Sequence, residues 1–162
     1  MRDHIQRTLV LLKPDAVQRG VCGEIITRFE RVGLKIVGMK MVWADKEFSK
    51  KHYHEHIAKP FYKGLEETIT AGPVLAFCLE GIEAVALVRK MVGATEPKTS
   101  APGTIRGDYA HVSYGYADST GIGIKNLIHA SDSVENAQKE LDLWFKPAEL
   151  HTYKTANESH VR

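Results

Sequence analysis

His129 stands between two apolar residues, Leu127 and Ile128, and the small polar run Ala130-Ser131-Asp132-Ser133. Imidazole has an ordinary pKa near 6.5, roughly, so neutral rings with a free lone pair are abundant at pH 7. Such a ring is a competent nucleophile, and a carboxylate on its second nitrogen would orient it and stabilise a cationic adduct. Glu140 is eligible for that part: on a helical wheel it borders the apolar stripe, on the same side as Ser133. A second reading makes His129 a neutral core residue with both ring nitrogens hydrogen-bonded. The local pattern leaves both open.

The chain has no GxxxxGK[ST] loop, and the glycines at 121 and 123 do not complete a GxGxxG. Phosphates would therefore have to be held by side-chain cations. Lys13 follows an apolar run and precedes Pro14, Arg89 falls near a helix end, and Arg106 sits in a proline-glycine loop. Each alone reads more readily as a solvated surface charge than as a phosphate ligand; Lys13 has the most specific setting. A second histidine group, His52, His54 and His56, could place His52 and His56 on one helix face as metal ligands. No third ligand lies nearby and HExxH is absent, so an exposed polar helix face is the simpler reading.

Positioning these groups requires a framework of short strands and helices. Thr8–Leu12 (TLVLL) reads as a central strand stopped by Lys13-Pro14. Gly23–Val32 carries Ile25, Ile26, Phe29 and Val32 at helical spacing, with Gly33 as a stop. Leu34–Trp43 reads as a second strand whose alternation slips near Val37-Gly38, the mark of a bulge or of a strand covered on both faces. Short helices follow near Lys46–His56 and Phe61–Thr70, bounded by Pro60 and Gly72-Pro73. Val74–Leu79 is a buried strand, Glu83–Val92 a helix, and Thr95–Gly107 a loop. The last helix, Val134–Phe145, buries Val134, Ala137, Leu141, Trp144 and Phe145. Ser131, Asp132 or Ser133 can cap it, and Asp132 with Glu135 has capping-box spacing. The order implies an α+β sandwich, helices packed on one sheet.

A chain of 162 residues is most economically one domain, and its charge of +2 is too small to indicate nucleic acid or a membrane surface. A small anionic ligand, needing only a few cations, remains open. Cys22 and Cys78 lack CxxC spacing and read as reduced thiols of a cytosolic protein. No apolar run approaches membrane-spanning length, Met1-Arg2-Asp3-His4 does not begin a signal peptide, and the Asn157-Glu158-Ser159 sequon is fortuitous in that compartment.

Several separated stretches carry a more specific signal: LLKPDAVQRG (11–20), Cys22-Gly23-EIITRFE, HYHEH…KPFYKGL (52–65), Ala71-Gly72-Pro73, GTIRGD (103–108) and NLIHASDSVENAQKELDLWF (126–145). In this order they resemble the nucleoside diphosphate kinase family, from about Thr8 to Tyr153. The resemblance implies one domain over 1–162 with a ferredoxin-like βαββαβ fold, an antiparallel sheet with helices packed on it, extra helices and a long loop. It implies reversible ping-pong transfer of the γ-phosphoryl group from a nucleoside triphosphate, mainly ATP, to a diphosphate, through a phosphohistidine on His129. Glu140 would orient that ring, with Ser131 beside it, and Lys13 would reach the transferring phosphate. Lys13, Tyr53, Arg89, Thr95, Arg106 and Asn126 would contact phosphates, sugar and histidine, while Phe61 would stack on the base. Asp132 and Glu55 would approach Mg²⁺ on the nucleotide through water. The expected partners are nucleoside di- and triphosphates and copies of the chain itself in a hexamer. Its tail from about 146 to 162 would pack on a neighbouring subunit. No membrane or nucleic acid is expected.

The sequence departs from the family pattern in two places. YAHVSYGYADSTGIGIK, read as a hairpin-like Gly/Tyr-rich stretch, lengthens the path from GTIRGD to His129. It leaves the second face of the base sandwich to Val112, Ile122 or Ile124. Ala130 stands where glycine is frequent. Two rival readings are a non-enzymatic use of the fold, as a nucleic-acid binder or histidine-phosphate carrier, and a metal hydrolase built on His52 and His56. The weak net charge and the lack of an RNP-like aromatic motif count against nucleic acid.

Overall fold

The computed structural model of the protein describes residues 4–161. Strands β1 (Ile5–Leu12), β2 (Lys35–Val42), β3 (Val74–Ile82) and β4 (Ile128–Ala130) form an antiparallel sheet in the order β2-β3-β1-β4. The central place of β1 follows from its composition: Leu9 to Leu12 are all fully buried, as a strand covered on both faces requires. The slip expected near Val37-Gly38 is present, as a register shift between Ile36 and Gly38 in the β2–β3 ladder.

Alternation along the strands divides the core in two. Val10, Leu12, Phe77, Leu79, Ile128 and Ala130 face helices α2 (Cys22–Arg31) and α5 (Ala84–Val92). Leu9, Leu11, Ala76 and Cys78 face the other way, toward Ile69 of α4 (Tyr62–Thr70) and Leu141 and Trp144 of α8 (Val134–Trp144). The order β1-α2-β2-β3-α5-β4 is the ferredoxin-like βαββαβ arrangement, with α3 (Lys46–His52) and α4 inserted after β2.

Local chemistry overturns several expectations. The helix expected to reach His56 ends at His52, and His54–His56 form a separate 3-10 turn. His52 and His56 therefore share no helix face. Two short helices, α1 (Pro14–Gln18) and α6 (Ile105–Tyr109), stand where the sequence shows no helix, each too brief to carry a periodic signal. The hairpin-like stretch instead holds helix α7 (Tyr114–Thr120). The Ser113 hydroxyl caps it by accepting the Tyr116 N–H at 3.1 Å, and Gly121 closes it at φ +67°. Helix α8 is capped by Ser133, which accepts the Asn136 N–H, whereas Asp132 takes the Asn136 side-chain amide at 2.7 Å. Val134, expected inside, is the first residue of α8 and is 55% exposed.

The tail lies along β2. The His151 N–H donates to the Val37 carbonyl at 2.7 Å and the Tyr153 hydroxyl to the Ile36 carbonyl at 2.5 Å, and α9 (Glu158–Val161) brings Val161 against Gly33.

Candidate active site

The site begins with a strained residue. Leu127 has φ +70°, a left-handed conformation unfavourable for a side chain with a Cβ. Its N–H donates to the Asp15 carboxylate at 3.0 Å and its carbonyl accepts the Lys13 N–H at 2.8 Å, so the β1–α1 corner fixes the kink. The next three residues form β4, paired to β1 with Leu11 opposite His129. Ile128 and Ala130 point into the α2–α5 layer of the core. By alternation, His129 projects to the opposite face, where α8 lies.

There His129 Nε2 lies 3.0 Å from the Glu140 carboxylate, and the Ser131 hydroxyl donates to the same oxygen at 2.5 Å. Burial pushes the Glu140 carboxyl up. The hydrogen bond and charge of His129, with the Ser131 hydroxyl and the nearby His52, outweigh it and hold the carboxyl below the ordinary glutamate range. An ionised Glu140 makes Nε2 the donor and leaves Nδ1 with the lone pair.

His129, Glu140, Tyr53, Phe61, Arg89, Thr95, Arg106, Glu55 and Asp132, all anticipated from sequence, line one cleft of about 990 Å³. Lys13, Asn126 and Ser131 are not on its wall but buried beside it, 6%, 2% and 0% exposed. The Lys13 ammonium donates to the Asn126 side-chain carbonyl at 2.7 Å, and the Asn126 amide donates to the Thr95 carbonyl at 2.8 Å, which ties both to the wall. Burial, reinforced by the Arg106 charge and opposed by Asp15, lowers the Lys13 pKa to about 8. Arg106 spends its guanidinium on the carbonyls of Gly93, Ala94, Asn126 and Ile128, clamping the ends of α5 and β4. Burial, then repulsion from Arg89, brings its pKa down to about 10 against the pull of Tyr114 and Asp15. Glu55 and Asp132 are exposed on the wall, while Phe61 keeps 55% of its surface free.

Sequence reasoning missed two positioning groups. Asp15 reads only as part of a motif, since its partner, Leu127, is distant in sequence. His52 reads as polar surface, yet it is 8% exposed. Its ring stands at 81° to that of His129, with centroids 4.7 Å apart, and its Nδ1 accepts the Trp144 indole N–H at 3.1 Å. Burial first, then the neighbouring charges of His129, Lys13 and His54 against that of Glu140, depress its pKa to about 3. A neutral ring bonded to an indole is unsuited to the metal-hydrolase reading. Among the described residues no group of three His, Cys, Asp or Glu could hold a metal ion.

A ferredoxin-like α+β sheet presenting a carboxylate-oriented histidine to a cleft lined by cations defines a phosphotransferase. A family profile described as nucleoside diphosphate kinase matches residues 6–150. The nucleoside diphosphate kinase of Pyrococcus furiosus is 55% identical over 151 residues, covering 93% of this chain and 89% of that one. That of Pyrococcus horikoshii is 56% identical over 151 residues, covering 93% and 92%. Among solved structures, the Borrelia burgdorferi nucleoside-diphosphate kinase, a transition state mimic with bound vanadate and ADP, superposes with a TM-score of 0.94. It is 42% identical, with 98% of this chain and 97% of that one covered. The Halobacterium salinarum nucleoside diphosphate kinase in complex with CDP gives 0.87 at 43% identity, covering 98% and 99%. The chain belongs to the nucleoside diphosphate kinase family. Its reaction is the family's: reversible transfer of the γ-phosphoryl group of a nucleoside triphosphate to a nucleoside diphosphate, with a divalent cation, by a ping-pong route through a phosphohistidine. None of its described helices is long and apolar enough to cross a membrane.

Proposed function

We propose that His129 is the phosphoryl carrier and that Nδ1 is the attacking atom. The observation that carries this reading is the 3.0 Å contact of Nε2 with Glu140, which leaves a single nitrogen free. Nδ1 forms a bond to the γ-phosphorus of ATP or another triphosphate as the bond to the β-bridging oxygen breaks, and the diphosphate departs. The ring becomes cationic while keeping its Nε2 proton, so no proton has to leave, and Glu140 stabilises the charge. A second diphosphate then attacks the phosphorus and restores the ring. A phosphoanhydride is lost and one is gained, so the cycle runs readily both ways.

Arg89, Arg106 and Lys13 supply positive charge where it develops on the phosphoryl oxygens. Lys13 and Asn126, buried beside the cleft, serve the ribose hydroxyls, Tyr53 and Thr95 the phosphates and sugar, and Phe61 the base by stacking. Ser131 acts through Glu140. The cation is Mg²⁺ carried on the nucleotide, approached through water by Asp132 and Glu55. Exposed carboxylates on the cleft wall suit an ion that keeps most of its water and takes its other ligands from phosphates. When bound, it neutralises charge on the transferring phosphates. Nucleotide ligands in the Borrelia and Halobacterium relatives support placing the nucleotide in this cleft.

The whole chain acts as one cytoplasmic kinase domain, where its two free cysteines stay reduced. It works as a homo-oligomer, a hexamer, in which the tail that lies along β2 of its own chain also packs on a neighbouring subunit. Exposed Met39 and Met41 on the edge strand β2, and Trp43 just beyond it, support self-association. His129→Ala should abolish phosphate exchange between ATP and a second diphosphate while calorimetry still shows ADP binding. Turnover retained by this variant would exclude the assignment.

A further inference from the structure

Two contacts reach His129 from helix α8, one direct and one through a second ring. Glu140 holds Nε2. Trp144, one turn further along the same helix face, donates its indole N–H at 3.1 Å to Nδ1 of His52. The His52 ring in turn stands at 81° to that of His129, with centroids 4.7 Å apart. Trp144 is itself fixed: it is 2% exposed and meets the Phe48 ring of α3 at 85° and 4.7 Å. His52 ends α3, so both helices anchor it.

One hydrogen bond leaves the nucleophile free to tilt. The torsion that turns a histidine ring has broad minima, and a carboxylate accepts over a wide range of angles. In-line attack, by contrast, needs the Nδ1 lone pair aimed at phosphorus. His52 supplies a stop. Because Trp144 occupies its Nδ1, its one ring proton sits on Nε2, where it is buried and meets no acceptor. A residue that served only to fill this space would not carry that unpaired donor. The same bond keeps His52 neutral, since a second ring proton would face the indole N–H donor to donor. No extra positive charge then opposes the imidazolium that forms on His129. Resting on the reading that His129 Nδ1 attacks phosphorus, we propose that His52 is a positioning residue for the transfer, suspended from Trp144 as a neutral stop that limits the tilt of the His129 ring.

His52→Asn separates the two parts of this arrangement. The shorter side chain keeps an oxygen near the place of Nδ1 to accept the Trp144 N–H, and loses the ring that reaches His129. Two quantities are read: the rate of phosphohistidine formation at saturating ATP and Mg²⁺, from quenched samples, and the Kd for ADP, from calorimetry. His52→Asn should slow formation about tenfold with the Kd for ADP unchanged. Trp144→Phe, which unhooks the His52 ring but leaves it present, should slow formation less, again with the Kd unchanged. An unaltered rate in either variant would overturn the proposal. So would a loss of ADP affinity that matches the loss of rate in both, because a folding defect moves the two together. Phosphate found on a residue other than His129 in the unaltered protein would overturn the carrier assignment itself, and this proposal with it.

Discussion

His129 can serve as a nucleophile because one of its two nitrogens is already engaged. The Glu140 carboxylate, kept ionised by His129 and Ser131 despite its burial, fixes both tautomer and ring plane. Lys13 adds a pH limit at the same scale. Its burial, with Arg106 nearby, brings the ammonium to about 8, so in the free enzyme its positive charge disappears as pH rises through that value. We therefore expect kcat/KM for ADP to fall above pH 8 or so, while kcat holds to higher pH because bound phosphates raise the same pKa. A pH–rate profile checks this. Stability moves the other way. The unfolded chain holds the Lys13 proton up to its ordinary 10.5, whereas the folded one releases it near 8, so this group makes the fold more stable as pH rises across that window.

At the scale of elements, the three-residue strand β4 is aimed by its neighbours more than by its own ladder. Asp15 holds the left-handed Leu127, which starts the strand. Asp15→Ala leaves a buried N–H without its acceptor and should cost about 1–3 kcal/mol in urea unfolding. It should also lower kcat roughly ten- to a hundredfold as His129 drifts from its in-line position; unaltered kcat would remove Asp15 from the positioning scheme. This is also where the sequence stops being readable. Apolar runs and helical spacing revealed β1, β3, α2, α5 and α8, because burial of whole faces leaves a periodic trace. The partners of Leu127 and His52 are distant in sequence and leave none. Helix α7 is hidden in the sequence because its glycine and tyrosines suggest turns, while its stability comes from the Ser113 cap and from buried Ala117, which is 4% exposed. His129, Glu140 and the cations were recognisable as types, but only the fold brings residues 53 to 140 to one wall.

For the whole molecule, the sheet order places β2 at one edge and β4 at the other, so the active site and the outer edge of β2 lie on opposite sides. Met39, Met41 and Trp43, alternate residues on and just beyond β2, share one face and are 42%, 61% and 69% exposed. Such a cluster on an edge strand suits a second copy of the chain. Sedimentation should give the mass of a hexamer, and Met41→Glu should shift it to smaller species. A monomeric native protein would refute that assembly.

The central claim is that the phosphoryl group rests on His129 between the two half-reactions. Brief incubation with γ-labelled ATP and Mg²⁺, followed by mass spectrometry of the intact and digested protein, addresses it directly. The account predicts one acid-labile phosphate on the peptide containing His129, discharged when a nucleoside diphosphate is added. Label on another residue, or label that diphosphates cannot remove, would contradict it.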